Sequence, residues 1–341
     1  MVLDSRRWDA RYGRDLIAAH ASEFNDYIAI TSPSAWAVVE PHLANPPVHR
    51  EFHEGMGERY LDDLLPRLPD AGQVLAIGGG NALDVGKYVA WRKNLPLIMI
   101  PTIVSTGAVF QSPVAVRRAD RWEFFMETVA PEYLLFDFGV IGAAPPHLNR
   151  AGMGECVCQF GVVGAWRWWD AQGFDGAPFA PDIAEGTASW VRERCAEFSG
   201  DLDENGEPGE TGIRIAAEIN RQRYDLPTVD AVERRSIDHS FVIAFEWVHQ
   251  RELIHSEAVS LGSLIGAYLY ESDFEETKAQ LDSCRVRYRP DEIGCTLAEV
   301  RETLERINEP VGPIAPENWF HRRSLNDETF DAMMVTIESR G

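Results

Sequence analysis

Lysine is nearly missing from this chain: Lys87, Lys93 and Lys278 are the only three in 341 residues, against 29 arginines. The bias suits genome composition better than mechanism, and it makes a lysine inside any motif conspicuous. Long apolar runs are missing as well. No stretch approaches the roughly 18 uninterrupted apolar residues of a membrane span. The opening Met1-Val2-Leu3-Asp4-Ser5-Arg6-Arg7-Trp8-Asp9 mixes charges of both signs with no apolar segment behind it, so no secretory signal is expected. Cysteine is sparse and odd in number, at five, which offers no disulfide framework and points to reduced thiols in a cytosol. Cys156-x-Cys158 is one residue short of the usual two-residue metal-binding gap, and on a helix its side chains diverge. Positive charge is also scarce: 32 Lys plus Arg face 54 Asp plus Glu, a formal charge of -22. Such a surface repels phosphate backbones and anionic lipid, so neither nucleic acid nor membrane is expected as a partner. A soluble, cytoplasmic protein acting on a small molecule is what remains.

The length predicts two domains. From Tyr27 to about Phe138, β-rich runs alternate with helical stretches: Tyr27–Thr31, a helix near Gly55–Leu68, Val74–Ile77, a helix from Ala82 to Trp91, Leu97–Ile100 and Tyr133–Asp137. Continuous apolar strands separated by helices imply a parallel, Rossmann-like sheet covered on both faces. Val114–Arg118 and Trp122–Glu127, flanking Arg118-Ala119-Asp120-Arg121, read as a hairpin excursion. After Pro145-Pro146 the pattern turns helical throughout. The expected fold is therefore an α/β domain over residues 1–146 and an all-α domain over 147–341. The acidic stretch Asp201–Glu210 has the alternating acids and glycine of a calcium loop without the spacing to a closing Glu, and reads as a solvated connection.

Val74-Leu75-Ala76-Ile77 ends in Gly78-Gly79-Gly80, and a helix begins at once. A strand, a glycine turn and a helix N-terminus let backbone N–H groups approach a pyrophosphate where a Cβ would collide. Asp84 and Lys87, at i and i+3, share one face of that helix just beyond the turn, placed to bond cofactor hydroxyls or amide. The spacing is not the G-x-G-x-x-G fingerprint.

Gly78-Gly79-Gly80-x-x-x-Asp84-x-x-Lys87, followed by Pro101-Thr102-Ile103-Val104-Ser105-Thr106, resembles the superfamily of metal-dependent polyol dehydrogenases. That superfamily holds glycerol dehydrogenase, sn-glycerol-1-phosphate dehydrogenase, iron-containing alcohol dehydrogenases and, more distantly, 3-dehydroquinate synthase. The resemblance implies a dehydroquinate synthase-like architecture, with Gly78, Gly79, Gly80 and Asp84 holding NAD or NADP, and Thr102 and Ser105 near the nicotinamide. In the helical half, Leu148-Asn149-Arg150-Ala151-Gly152-Met153-Gly154-Glu155 opens a helix where those families keep an acidic ligand. Asp238-His239-Ser240-Phe241-Val242-Ile243-Ala244-Phe245-Glu246 and His255-Ser256-Glu257-Ala258-Val259-Ser260-Leu261-Gly262 look like the family's two histidine segments. Carried across, the ligands are Glu155, His239 and His255. Two imidazoles and a carboxylate with an open fourth position form a common catalytic zinc set, and iron or nickel also suit these donors. His249 falls where the pattern has no ligand. The likeness runs from Tyr12-Gly13 to Pro290-Asp291-Glu292-Ile293-Gly294, and the glycerol-1-phosphate dehydrogenase branch looks closest, through Ser112-Pro113, Ala165-Trp166-Arg167-Trp168-Trp169-Asp170 and that last segment.

The departures are specific. Gly107 stands where the glycerol and glycerol-phosphate enzymes carry an Asp that helps hold the polyol, Ser256 replaces a glycine, and Glu155 replaces the commoner Asp. Ile243 stands where iron-type members place another histidine. Thr31-Ser32-Pro33 offers no carboxylate for the ribose 2′-OH, which opens the site to NADP as well as NAD. The expected activity is hydride transfer between nicotinamide and a polyol, polyol phosphate or related alcohol or carbonyl, in a cleft between the domains of a self-associating enzyme. Two other readings stay open: a dehydroquinate synthase-like cyclase or lyase with catalytic NAD, and a degenerate member that binds cofactor without chemistry. Arg117, Arg118 and Arg121 are candidates to meet a substrate phosphate, or are solvated.

Overall fold

The computed structural model describes residues 7–118, 122–126, 128–173, 176–228, 235–310 and 317–339. Met1–Arg6 of the opening segment, and Arg121 and Glu127 of the hairpin, lie outside these. The described chain forms two compact units, residues 1–149 with 207–221, and residues 150–206 with 222–341.

The first unit is built on a six-stranded parallel sheet in the order β1-β8-β5-β4-β2-β3. Its strands are β1 Ala10–Gly13, β2 Tyr27–Thr31, β3 His49–Phe52, β4 Gln73–Gly78, β5 Leu97–Pro101 and β8 Tyr133–Asp137; β6 Val114–Arg117 and β7 Trp122–Phe125 make a separate antiparallel hairpin. The four inner strands are apolar along nearly their whole length because helices cover both faces, and all of β2, β5 and β8 is buried. Tyr27, Ala29, Leu75, Ile77, Ile98, Ile100 and Leu135 share one core layer with Trp36 and Val39 of helix α2, Pro33–Val39. The sheet edges are different. β1 is half-buried, and β3, His-Arg-Glu-Phe, buries only Glu51, whose carboxylate takes hydrogen bonds from Tyr60 and Arg67.

Helix Glu210–Gln222 follows the acidic connection, and residues 207–221 pack with the first unit. Its contacts explain that placement. Tyr12 donates to Glu218 at 2.5 Å, and Arg214 lies 4.9 Å over the Tyr12 ring.

The second unit is helical. Its longest members are Gly154–Ala171, Pro181–Ser199, Ile237–His249 and His255–Leu269. The helix Gly154–Ala171 lies against His255–Leu269 at a point where no side chain fits, since a Cβ on Gly154 would sit 2.4 Å from both the Ser256 carbonyl and the Ser260 hydroxyl. That close approach sets Glu155 beside the first turn of the His255 helix. Among the described residues, no helix is long and apolar enough to cross a membrane.

Candidate active site

In the first unit the carboxyl end of β4 runs straight into helix Gly80–Lys93. Gly78 takes φ +146°, a conformation open to glycine, and a Cβ there would also meet Ala82 at 2.8 Å. Side chains on Gly79 and Gly80 would strike Ile103 at 2.8 Å and Thr106 at 2.7 Å, so the loop after β5 packs directly on the glycine turn. The first hydrogen bond of the turn runs from Leu83 N to Gly79 O, and the N–H groups ahead of it lie at the helix start, where an anion is favoured.

That loop is held by side chains. Asn149, 1% exposed, accepts from Val104 N at 3.3 Å and donates to Ile141 O. Lys87 is wholly buried, and its ammonium meets Asp84 at 2.5 Å and the carbonyls of Ala108 and Gln111 at 3.0 and 2.8 Å. The lysine that stands out in the sequence thus clamps the turn Gly107–Phe110 onto its own helix. Asp84 remains partly exposed, while Thr102 and Ser105 are buried in the loop, and Thr102 N bonds Gly78 O. Gly107 is buried too. Of the arginines weighed for a phosphate, Arg118 is committed to Glu58 and Glu123.

In the second unit Glu155, His239 and His255 converge, their ligand atoms within 4.8 Å of one another. His239 Nε2 lies 3.5 Å from Glu155 Oε2, and His255 Nε2 lies 3.1 Å from Glu155 Oε1. Donors on a tetrahedral ion at zinc–ligand lengths stand about 3.3 Å apart, close to the two imidazole–carboxylate separations. Glu155 is fully buried, whereas the imidazole side chains are 40% and 36% exposed, which leaves an accessible side for a further ligand.

The surroundings fix each donor. Arg223 donates to Glu155 Oε2, and Ser256 Oγ donates to Oε1 at 3.2 Å. Burial alone would raise the Glu155 pKa; the Arg223 guanidinium and the two imidazoles hold it well below the usual range instead. Asp238, 2% exposed, sits 2.5 Å from His239 Nδ1, leaving Nε2 to face the carboxylate. Burial disfavours the imidazolium, yet hydrogen bonds to Asp238 and Glu155 raise the His239 pKa to about 10. An arriving cation therefore displaces a proton.

Three of these groups carry little signal in the sequence. Arg223 carries no motif and lies 68 positions from Glu155. Asp238 did carry a signal, being adjacent to His239, and Ser256 registered only as a replaced glycine. His249 lies apart, with Nε2 beside Glu299 O and Thr303 Oγ1. Cys156 and Cys158 are buried thiols whose pKa burial pushes up. Among the described residues no second set of three donors gathers, in the stretch 201–210 or elsewhere.

Residues 39–145 match the family model described as iron-containing alcohol dehydrogenase. A glycerol-1-phosphate dehydrogenase [NAD(P)+] of Hyperthermus butylicus is 22% identical over 293 residues, covering 82% of this chain and 81% of its own. One from Archaeoglobus fulgidus is 28% identical, over 69% of this chain and 67% of its own. The chain is thus similar over most of its length to glycerol-1-phosphate dehydrogenases of the metal-dependent polyol dehydrogenase superfamily. Solved structures share the fold of this chain: a probable glycerol dehydrogenase from Sinorhizobium meliloti superposes with TM-score 0.66 at 16% identity, covering 97% of this chain and 96% of that one. The glycerol dehydrogenase of Schizosaccharomyces pombe gives 0.64 at 16%, covering 99% and 91%.

Proposed function

We propose that this chain is a member of that superfamily, an NAD(P)-linked, metal-dependent alcohol dehydrogenase whose substrate is a polyol, a polyol phosphate or a related alcohol or carbonyl. The observation that carries the reading is the convergence of Glu155, His239 and His255 within 4.8 Å, two imidazoles and a carboxylate with an accessible side. Glu155, His239 and His255 would hold a divalent ion, zinc before iron or nickel, which would supply Lewis acidity toward a substrate oxygen, and a bound nicotinamide would supply the hydride chemistry. The chain's own groups prepare that chemistry. Asp238 fixes the tautomer of His239 so that the Nε2 lone pair faces inward, and Arg223 with Ser256 keeps the Glu155 carboxylate ionised and oriented.

The dinucleotide's pyrophosphate would be held by the N–H groups at the start of helix Gly80–Lys93. Asp84 lies one turn further on for a cofactor hydroxyl, and Thr102 and Ser105 lie in the loop packed on the same glycines. Lys87 supports this site by shaping the loop. The names of the relatives favour a phosphorylated three-carbon polyol and acceptance of both nicotinamide cofactors; the absence of a carboxylate at Thr31-Ser32-Pro33 agrees with the latter. Five free, buried cysteines suit a reducing compartment, and we place the enzyme in the cytoplasm as a self-associating protein.

The test pairs metal analysis with turnover. Purified protein should carry a divalent metal and show net NAD(P)H absorbance change with a polyol panel. His255→Ala should lose the metal and at least about a hundredfold in rate while keeping the parent's circular dichroism. Full turnover by a metal-free His255→Ala protein removes the assignment; turnover with no net nicotinamide signal points to the cyclase class instead.

A further inference from the structure

Three guanidinium groups of the second unit, none of them a member of the donor set, come together with no ion-paired acid among the described residues. Arg150 Nη1 donates to the Gly206 carbonyl at 2.9 Å, and Arg285 Nη1 donates to the Glu204 carbonyl at 3.3 Å. Gly206 shows how near they are to each other: a Cβ built there would lie 2.5 Å from Arg150 Nη1 and 2.7 Å from Arg285 Nη1. Arg287 is the third member. Burial, with Arg287 and Arg285 alongside, lowers the Arg150 pKa, the response of a cation among cations. Among the described residues, none of the three forms an ion pair, although arginines elsewhere in this acidic chain are widely paired. Glu257, in the first turn of helix His255–Leu269, is a carboxylate that interacts electrostatically with Arg150 and Arg287, and Glu292 beside it already meets Arg289. Buried Arg150 Nε and buried Glu257 Oε1 both lack a hydrogen-bond partner, so this carboxylate does not satisfy the guanidinium beside it.

We propose that Arg150, Arg285 and Arg287 form a binding site for a phosphate group. Planar guanidinium forks match phosphate oxygens in pairs, and such charge-assisted bonds are the stronger kind. A dianion removes the mutual repulsion of the three cations and gives Arg150 Nε an acceptor. The occupant is inorganic phosphate or the phosphoryl end of a small ester. Neither the metal reading nor the cofactor reading enters this argument.

The experiment uses the whole chain, stripped of divalent ions by chelator and held at constant ionic strength with sodium chloride. Inorganic phosphate and, separately, methyl phosphate are titrated by calorimetry and by thermal melting. Saturable heat and a rising melting temperature with phosphate are expected; equal affinity for the ester identifies the phosphoryl group as what is read, and tighter ester binding identifies an organic phosphate as the occupant. The double substitution Arg285→Gln/Arg287→Gln, both outside the buried core, should weaken phosphate binding by on the order of tenfold or more. Without phosphate it should melt no lower than the parent, because a like-charge contact is removed. His255→Ala should bind phosphate as the parent does, so failure of the dehydrogenase reading leaves this result intact. No phosphate effect beyond that of chloride, unchanged affinity in the double variant, or a lower melting point without phosphate overturns the proposal; the last would make the arginines structural partners of Glu257.

Discussion

At the residue scale the site depends on groups one shell behind the donors. A buried carboxylate unpaired in the interior would take up a proton, and Arg223 prevents this for Glu155 while placing a second charge beside the proposed cation site. Asp238 does comparable work for His239. Asp238→Asn keeps the size of the side chain but can present an N–H toward Nδ1, favouring the tautomer whose proton sits on Nε2. Metal affinity, read by competition with a chromogenic chelator, should fall by about 10- to 100-fold with the fold intact. Unchanged affinity would mean that ring packing alone sets the tautomer.

At the element scale, what was legible follows burial. β2, β4, β5 and β8 are apolar along nearly their whole length because both faces are covered, and they are readable as strands without any partner in view. β1 and β3 are not. His49-Arg50-Glu51-Phe52 alternates in neither hydropathy nor charge, since an edge strand has one free side and is held by specific contacts, such as Arg50 over the Trp36 and Phe52 rings. The helix Glu210–Gln222 reads as a helix, but which unit it packs with depends on Tyr12 and Arg214 pairing across about two hundred residues. Glu155, His239 and His255 could be singled out because each lies in a run of recognisable neighbours; Arg223 could not.

Two predictions belong to elements. Gly154→Ala puts a methyl 2.4 Å from the Ser256 carbonyl and the Ser260 hydroxyl, so the helices Gly154–Ala171 and His255–Leu269 must part. The expected cost is about 1–3 kcal/mol in urea unfolding, with metal affinity falling too because Glu155 and His255 ride on the two helices. A variant as stable as the parent would show that the helix pair adjusts freely. At the helix Leu297–Glu305, Thr296 and Glu299 form a capping box, and Arg251, then the Thr296 backbone, hold the Glu299 pKa down to about 2. A folded-state pKa below its unfolded value stabilises above the unfolded pKa and is lost as pH falls through the folded one. Glu299→Gln keeps the capping geometry and removes the charge, so it should cost less than about 1 kcal/mol at neutral pH. Its melting temperature should converge on the parent's between about pH 4.5 and pH 2; a gap that persists at pH 2 would locate the loss in geometry.

At the scale of the whole molecule, a formal charge of -22 opposes the approach of any anion, the proposed dinucleotide included. Little at the glycine turn offsets it. The first turn of helix Gly80–Lys93 has no basic side chain, and Lys87 is neutralised by Asp84. A dinucleotide at this turn would therefore be held at close range by backbone dipoles, which act within a turn of the helix end, while the long-range field repels it. Salt screens the second far more than the first: the Debye length shrinks from about 30 Å at 0.01 M to about 10 Å at 0.1 M. Stopped-flow fluorescence of NADH binding should consequently show an association rate that rises a fewfold over that range, with the dissociation rate nearly constant. A rate that falls with salt would require a positive patch steering the dinucleotide in, and arginines of the surface would then have to be assigned that role.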